Sequence, residues 1–509
     1  MADLGKSQNY LNKDFEAIRS ELIDTLKVYY PDNFQDFNAA SIGMSLIDLL
    51  AYVSDKLQFN LDKKFNELFI DGISSRASAV KLAKTFGYKT VGNRSSVTLG
   101  DIIISVPALG FTPDPSYLPV YRAGLQAKGS GQVFETINEI NFASDFSEDG
   151  TTNRLVKPVF NANQDILRYT ITKREILKAG ATLYFKKEIS VLDASTPFLE
   201  VSISDTNVLE IVSVIAKPGT GQISVPTFDE FSDNNLKFHE VDDLATSKIF
   251  VNDGTTPDIN NNIKSGKYIE VNQRFIKEFI ADGSIKVTFG GGTPDVDGYQ
   301  AYLSKLQFGE EDKINIKDTF DNMALGSKLP SNSTLWIKYR VGGGNESNIG
   351  SNVLQSVGNI DAVIGGSDST VSQAVINSTT VTNPIPAIGG AGLPTIDEIR
   401  NNISSNFASQ KRCITLGDYI SRAYQIPGKF GAPFRIEGKV EDNKVKLYIL
   451  TRDANGKVMT VSTNVVKNNI TEYLSEFRSL NDFVEINDGK VINISIEATL
   501  LTDKTFNSN

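Results

Sequence analysis

The hydrophobic period changes near Ser95, and that change constrains the fold more than any other feature of the sequence. Before it, apolar residues recur every three or four positions; from there to about Val251 they alternate or run in short blocks. A chain patterned in this way places helices first and a large β region behind them.

Phe15, Ile18, Leu22, Leu26 and Tyr29 step at helical spacing, with Asn12 placed to cap and Pro31 to stop the run. A second helix starts near Ser41 and has neither proline nor interior glycine after Gly43. At ~1.5 Å per residue, the span from Ser41 to Phe69 would reach ~40 Å. An apolar seam sustained beyond ~25 residues suggests a coiled coil or a bundle. A third helix, Ser74 to Phe86, closes at Gly87, where glycine suits a left-handed cap. Two readings stand for this region. The seam of Leu46, Leu49, Leu50, Val53, Leu57 and Leu61 is either the core of a self-contained three-helix domain or an interface shared with other chains. The first and third helices are too short to cover both ends of the second, which favours sharing.

After Ser95, short strands separated by Gly, Asn, Asp and Pro follow one another, and Val120 to Gly124 with Gln132 to Thr136 reads as a hairpin. No helical period interrupts them, which indicates a sandwich or barrel. Residues 146–265 are expected to form an inserted β domain within a β-rich core of 93–145 and 266–345. The Ser-, Asn- and Gly-rich stretch 346–390 is expected as exposed strands or linker. In 391–509, Thr395 with Glu398 and Thr415 with Asp418 each make the capping-box spacing, so two helices start there. Arg435 to Glu441 and Lys444 to Thr451 alternate around Asp442-Asn443 as a hairpin. A helix capped near Ser462 follows, and then strands over Phe483 to Ile486 and Val491 to Leu501. This β-α-β-β order is compatible with half of a split βαβ sandwich. The expected fold is α+β and multidomain, with 1–92 as the helical region.

A net charge of −10, from 51 basic and 61 acidic residues, argues against a phosphate-binding surface over the whole protein. One cysteine, Cys413, excludes an internal disulfide framework and a thiolate zinc site, and the single His239 excludes any site needing two imidazoles. The N-terminus lacks the apolar core of a signal peptide and no run approaches the ~20 apolar residues of a membrane span. The expectation is a soluble protein folded in a reducing cytosol, with no nucleic acid or membrane partner.

The order of several motifs resembles the baseplate J-like family, which includes inner baseplate wedge proteins of contractile-tailed, T-even-like bacteriophages. The matching residues are Phe289-Gly290, Pro330, Tyr339 with Gly342-Gly343 and Asn345, Asn383-Pro384 with Ala387 and Gly389-Gly390, Asp397, Glu398 and Arg400, then Arg412, Thr415, Asp418-Tyr419, Ala423 and Pro427. Arg76 and Phe86-Gly87-Tyr88 match the N-terminal helical region. This chain has Leu393-Pro394 where many relatives carry an acidic residue. The resemblance implies a virion protein of the tail baseplate, assembled in the host cytoplasm, that joins wedges and relays baseplate rearrangement to the sheath. It implies as partners other wedge subunits in a heteromeric helical bundle, a second copy of this chain, and sheath-initiating and hub proteins. In the family a helix and a strand usually follow the last strand here, so an abbreviated or truncated C-terminal domain is expected.

No residue pattern calls for catalysis or a cofactor. Asp229, Glu230, Asp233, Glu240, Asp242 and Asp243 could supply the paired carboxylates of a glycan hydrolase, and exposed aromatics of the insert could bind a glycan. A solvated turn is the simpler account of those acids. His239-Glu240 lacks the second histidine of a zincin helix, and Glu310-Glu311-Asp312 and Asp253 with Asp258 miss the calcium-loop spacing. The glycines near 290 and 342 are followed by no Gly-Lys-Ser/Thr, so they read as turns at strand ends. Cys413 and Trp336 read as core. The sequence therefore points to a structural, non-enzymatic subunit whose interface is the six-residue helix seam.

Overall fold

The computed structural model describes residues 14–31, 38, 41–146, 152–221, 224–252, 266–292, 325–410, 412–441, 444–460, 464–479, 482–492 and 494–497. Asn12, Asp253, Asp258, Glu310, Glu311, Asp312, Asp442, Asn443 and Ser462, named above, lie outside them. The architecture is α+β and multidomain, with separate apolar cores under two large sheets and a C-terminal α/β unit.

Helix α1 (Phe15–Tyr29) is capped by Asp14, whose carboxylate accepts the Ala17 N–H at 2.9 Å. Helix α2 (Ile42–Asn66) begins on the Ser41 hydroxyl and ends short of Phe69. Helix α3 (Arg76–Thr85) starts at Ser75 and closes at Gly87, with φ +75°. These three do not form a self-contained domain. α1 and α2 pair, burying Ile18 on one and Met44, Ile47 and Ala51 on the other, with Arg19 and Asp48 joined at 2.6 Å. α3 instead packs on α7 (Ile396–Ser409), where Ile73, Ala79, Ala83 and Tyr88 share a core with Ile399 and Ile403.

In the first sheet the long strands Val97–Leu109 and Ile166–Ala179 run antiparallel from Val97↔Lys178 to Pro107↔Arg168. The expected hairpin is displaced. Gln132–Thr136 pairs with Gln126–Gly129, whereas Val120–Tyr121 pairs with Ile140–Asn141 and Ala362–Val363. The bend at Gly124, φ +105°, separates the two. Residues 346–390 are not a linker: Leu354, Val375, Val381 and Ala387 lie in this sheet's core beside Ile102, Phe134 and Ile171. They include a helix, α6 (Ser369–Asn377), capped by Asp368. Its scattered Ser, Thr and Asn dilute the apolar period that would have announced it.

The second sheet orders its strands as Glu200–Ile203, Ile285–Phe289, Arg274–Phe279, Lys237–Glu240, Val208–Pro218, Ser333–Val341 and Ala181–Ile189. Residues 146–265 therefore do not make a domain of their own. They supply Arg154–Phe160 and Ile166–Ala179 to the first sheet and four strands to the second. The chain changes sheets at Gly180, φ +127°, where an added Cβ would lie 2.7 Å from Leu209 Cδ1 and 3.0 Å from the Val341 oxygen. Alternation marks a strand but not the sheet it joins. Two one-turn helices, α4 (Val191–Ser195) and α5 (Phe228–Ser232), interrupt the strands, each on a capping box.

Both C-terminal capping boxes form. Thr395 and Glu398 open α7, and Thr415 and Asp418 open α8 (Leu416–Tyr424), where Thr415 N–H reaches Asp418 Oδ2 at 2.8 Å. Hydrogen bonds from Thr415 and Ile414 help to hold the Asp418 carboxyl below its usual range. Thr415→Ala is expected to cost ~1 kcal/mol in chemical denaturation, whereas a loss within error would mean that the cap is immaterial. The hairpin Arg435–Glu441 with Lys444–Arg452 is antiparallel, α9 (Asn464–Ser475) follows, and Phe483–Asp488 returns parallel to Lys444–Arg452. The expected last strand differs: residues 491–492 and 494–497 join no sheet, and the rest of that stretch lies outside the described residues.

Candidate functional site

The residue patterns converge on one surface, the open side of α2. At about 100° per residue, Ile42, Leu46, Leu49, Leu50, Val53, Leu57 and Leu61 fall within an arc of about 120°. The buried Met44, Ile47 and Ala51 face α1 about 130° further round. The six seam residues are all exposed, from 45% at Val53 to 61% at Leu61. Among the described residues nothing covers them: α1 lies on a different side, and α3 packs on α7.

A third side of α2 is apolar as well. Tyr52 and Phe59, one helical heptad apart, are 53% and 63% exposed. Sequence reasoning missed them because they lie outside the leucine stripe, although their spacing was the available signal. A helix apolar around most of its circumference belongs inside a bundle. Among the described residues α1 occupies one side and the other two are open. The pair joins the body at Glu67, which accepts hydrogen bonds from the Ser74 and Ser78 hydroxyls at 2.8 and 2.9 Å and is held below the usual carboxylate range chiefly by the first.

The acidic residues are engaged individually rather than gathered. Glu230 closes a capping box with Thr227 and is held below the usual range first by Lys217. Asp233 and Asp243 accept the N–H groups of Asn235 and Ala245, each at 2.9 Å. Glu240 pairs with Lys277 at 2.9 Å and Asp242 with Lys89 at 3.2 Å, while Asp229 stays in the first turn of α5. Burial pulls the His239 imidazole below its ordinary value. Among the described residues, no group of three or more His, Cys, Asp or Glu could hold a metal ion, and no helix is long and apolar enough to cross a membrane. Cys413 is fully buried, and burial pushes its thiol up to about 11. Trp336 packs with Ile215 and Phe231.

The motif residues that carry the family resemblance serve as pins in the fold. Asn383, fully buried, accepts the N–H groups of Val353 and Leu354 and donates to the Gly350 and Ile385 oxygens. Asn348 and Gly390 bond reciprocally at 2.9 and 2.8 Å. Tyr339 donates to Asp205 at 2.5 Å, and Arg76 reaches the Ala281 oxygen at 2.7 Å.

Where the two sheets and the C-terminal unit meet, Lys178 stands 5.8 Å from the Phe430 ring among Glu210, Arg340, Lys429 and Glu472. Burial lowers its ammonium from 10.5 to about 8. Between those values the unfolded chain holds a proton that the folded chain has lost, so this group's contribution to stability rises with pH across that window, and its penalty is complete below it. A Lys178→Met variant is expected to exceed the parent in stability most at neutral pH, with the difference narrowing as pH rises through the window. Denaturant unfolding over that range checks it, and a constant difference would refute it.

Against known proteins, no family model matches the sequence and no curated protein matches it. Among solved structures, the chain aligns over 92% of its length with a chain of the anti-feeding prophage (AFP) baseplate, covering 70% of that chain at 8% identity and a TM-score of 0.22. It also aligns over 87% of its length with a chain of the type VI secretion system TssK-TssF-TssG baseplate subcomplex, covering 95% of that chain at 6% identity and a TM-score of 0.25. Superpositions this loose carry no argument about function.

Proposed function

We propose that the protein is a structural, non-catalytic subunit of a contractile-tail baseplate, a wedge protein that joins its neighbours through α2. The observation that carries the proposal is the exposed apolar seam on a long helix that the described residues cover on one side alone. Exposed apolar patches of this extent on soluble proteins mark interaction sites. The motif order described above supplies the baseplate context, and the two open sides of α2 match a bundle with at least two further helices. By that resemblance these would come from a second copy of the chain and from a different wedge subunit. Sheath-initiating and hub proteins would be further neighbours, and rearrangement of the wedges would pass to the sheath through such contacts.

The energy of the task lies in interfaces rather than in a reaction. Permanent partners would bury ~2,000 Å² or more, and each seam leucine would contribute ~1.5–3 kcal/mol on burial. The test is genetic and structural: a null mutant of the gene should give particles without complete baseplates, and cryo-EM of the assembled particle should place α2 in a multi-chain bundle. Normal tails from the null mutant would refute the proposal.

A further inference from the structure

Two lysines share one aromatic ring where the first sheet meets the C-terminal unit. The Lys178 ammonium lies 5.8 Å from the centre of the Phe430 ring, and the Lys429 ammonium lies 4.8 Å from the same centre. Both fall inside the ~6 Å over which a ring face attracts a cation. Lys84, Lys217, Lys277 and Lys286 each hold a carboxylate. Among the described residues, the Lys178 and Lys429 side chains hold none and donate no hydrogen bond. Of the acids near Lys178, Glu210 and Glu135 are turned to Arg340, at 3.1 and 3.5 Å, and Glu472 of α9 acts on it from beyond ion-pair distance. Burial already opposes the Lys178 charge, so an anion brought to it would offset a cost that the chain's own groups leave standing.

The three groups are positioned before any ligand arrives. Lys429 and Phe430 sit on the single 3-10 turn Gly428–Phe430. Gly428 is packed so closely that a Cβ there would lie 2.3 Å from the Asn93 oxygen. Its own oxygen accepts the Ser95 N–H at 2.9 Å, and the Phe430 oxygen accepts the Asn469 side-chain N–H at 2.9 Å. Lys178 is paired with Val97 on one side and Glu135 on the other in the first sheet, and its carbonyl accepts Arg340 Nη2 at 3.0 Å. Lys178 is half-buried, whereas Lys429 is exposed. A ligand therefore reaches the pair from solvent at Lys429, whose flexible stem can follow it. Groups fixed in advance lose less freedom on binding.

We propose that Lys178 and Lys429, on the Phe430 ring, form a binding site for one phosphate group. Two ammonium groups match the charge of a phosphate, about −1.5 to −2 near neutrality in a monoester, better than that of a single carboxylate. Each ammonium brings three donors for the phosphate oxygens, and the ring beneath them keeps the contact in surroundings of low polarity, where it is stronger than in water. A chain of net charge −10 offers little general attraction to phosphate, so binding would be confined to this pair. Phosphate seated there would tie the first sheet to the turn that opens the C-terminal strands.

Isothermal titration of the full-length chain with inorganic phosphate, at about pH 7 and constant ionic strength, tests this. One saturable site is expected. Lys178→Met should remove it, and Lys429→Met should weaken it roughly tenfold or more, the worth of one hydrogen bond to a charged group. Lys157→Met, on Arg154–Phe160 of the first sheet, should leave it unchanged, and circular dichroism shows that each variant folds. Phosphoserine in place of phosphate identifies the source: binding at least as tight assigns the site to a phosphate monoester, and weaker binding assigns it to the free ion. Absence of a saturable site, equal affinity in the parent and both lysine variants, or acetate binding as tightly as phosphate would overturn the proposal.

Discussion

Changing Leu50 and Leu57 together to Asp is expected to abolish association through α2 while leaving a folded single chain. Both side chains are already more than half exposed, at 57% and 58%. A charge placed there stays in water, and substitutions at such positions usually alter stability by about 0.5 kcal/mol or less. In a complex the same two sites, burying the somewhat more than half of each side chain still exposed, would together lose roughly 2–3 kcal/mol of apolar burial, about thirty- to a hundredfold or more in affinity, before any cost of desolvating the carboxylates. Ile47→Asp provides the contrast, because Ile47 is 5% exposed and faces α1, so that variant should unfold the helix pair instead. Size-exclusion chromatography with light scattering, read beside circular dichroism, separates the outcomes. If the Leu50/Leu57 variant unfolds outright, the seam is internal core and the interface proposal fails.

Arg340→Ala is expected to destabilise the fold by about 3–5 kcal/mol, the range for breaking a buried ion pair from one side. The Arg340 guanidinium, on Ser333–Val341 of the second sheet, lies 3.1 Å from Glu210 of its own sheet and 3.5 Å from Glu135 of the first. It also donates to the Lys178 and Ala179 oxygens at 3.0 and 3.1 Å, just before the chain changes sheets. Glu135 is engaged in turn by the Thr182 N–H and hydroxyl at 2.9 and 2.6 Å. Removing the cation leaves buried carboxylate charge without its partner. The loss should therefore be partly recovered when Glu135→Gln and Glu210→Gln are added to Arg340→Ala. A single substitution that costs less than about 1 kcal/mol in urea unfolding would show that the cluster contributes little to joining the sheets.

Much of the helical architecture is legible in the sequence because its signals are local. Ser41, Thr395 and Thr415 announce their helices through hydroxyl caps, and Gly87 ends α3 where expected. What stays hidden is which surface each element meets. The helical period of α3 says that one face is buried but not that α7, more than three hundred residues later in the chain, buries it. Alternation likewise identified strands in 146–265 without revealing that Gly180 divides them between two sheets. The α2 stripe was readable from its leucines, whereas its exposure depended on where α1 and α3 came to rest. Asn383 and Gly390 stand out through motif order, yet the branched hydrogen bonds of the one and the reciprocal pair of the other with Asn348 are tertiary facts that no spacing encodes.

The passage of one strand from Ile166 through Gly180 to Ile189 also sets how the body would carry a mechanical load. The halves of that strand are laced laterally to Val97–Leu109 on one side of the corner and to Ser333–Val341 on the other. Antiparallel hydrogen bonds stand perpendicular to the strands they join. Tension along the strand therefore shears a whole row of bonds at once rather than peeling them singly, and the Arg340 guanidinium rivets the corner where the pull changes direction. A body built in this way resists stretching along that line.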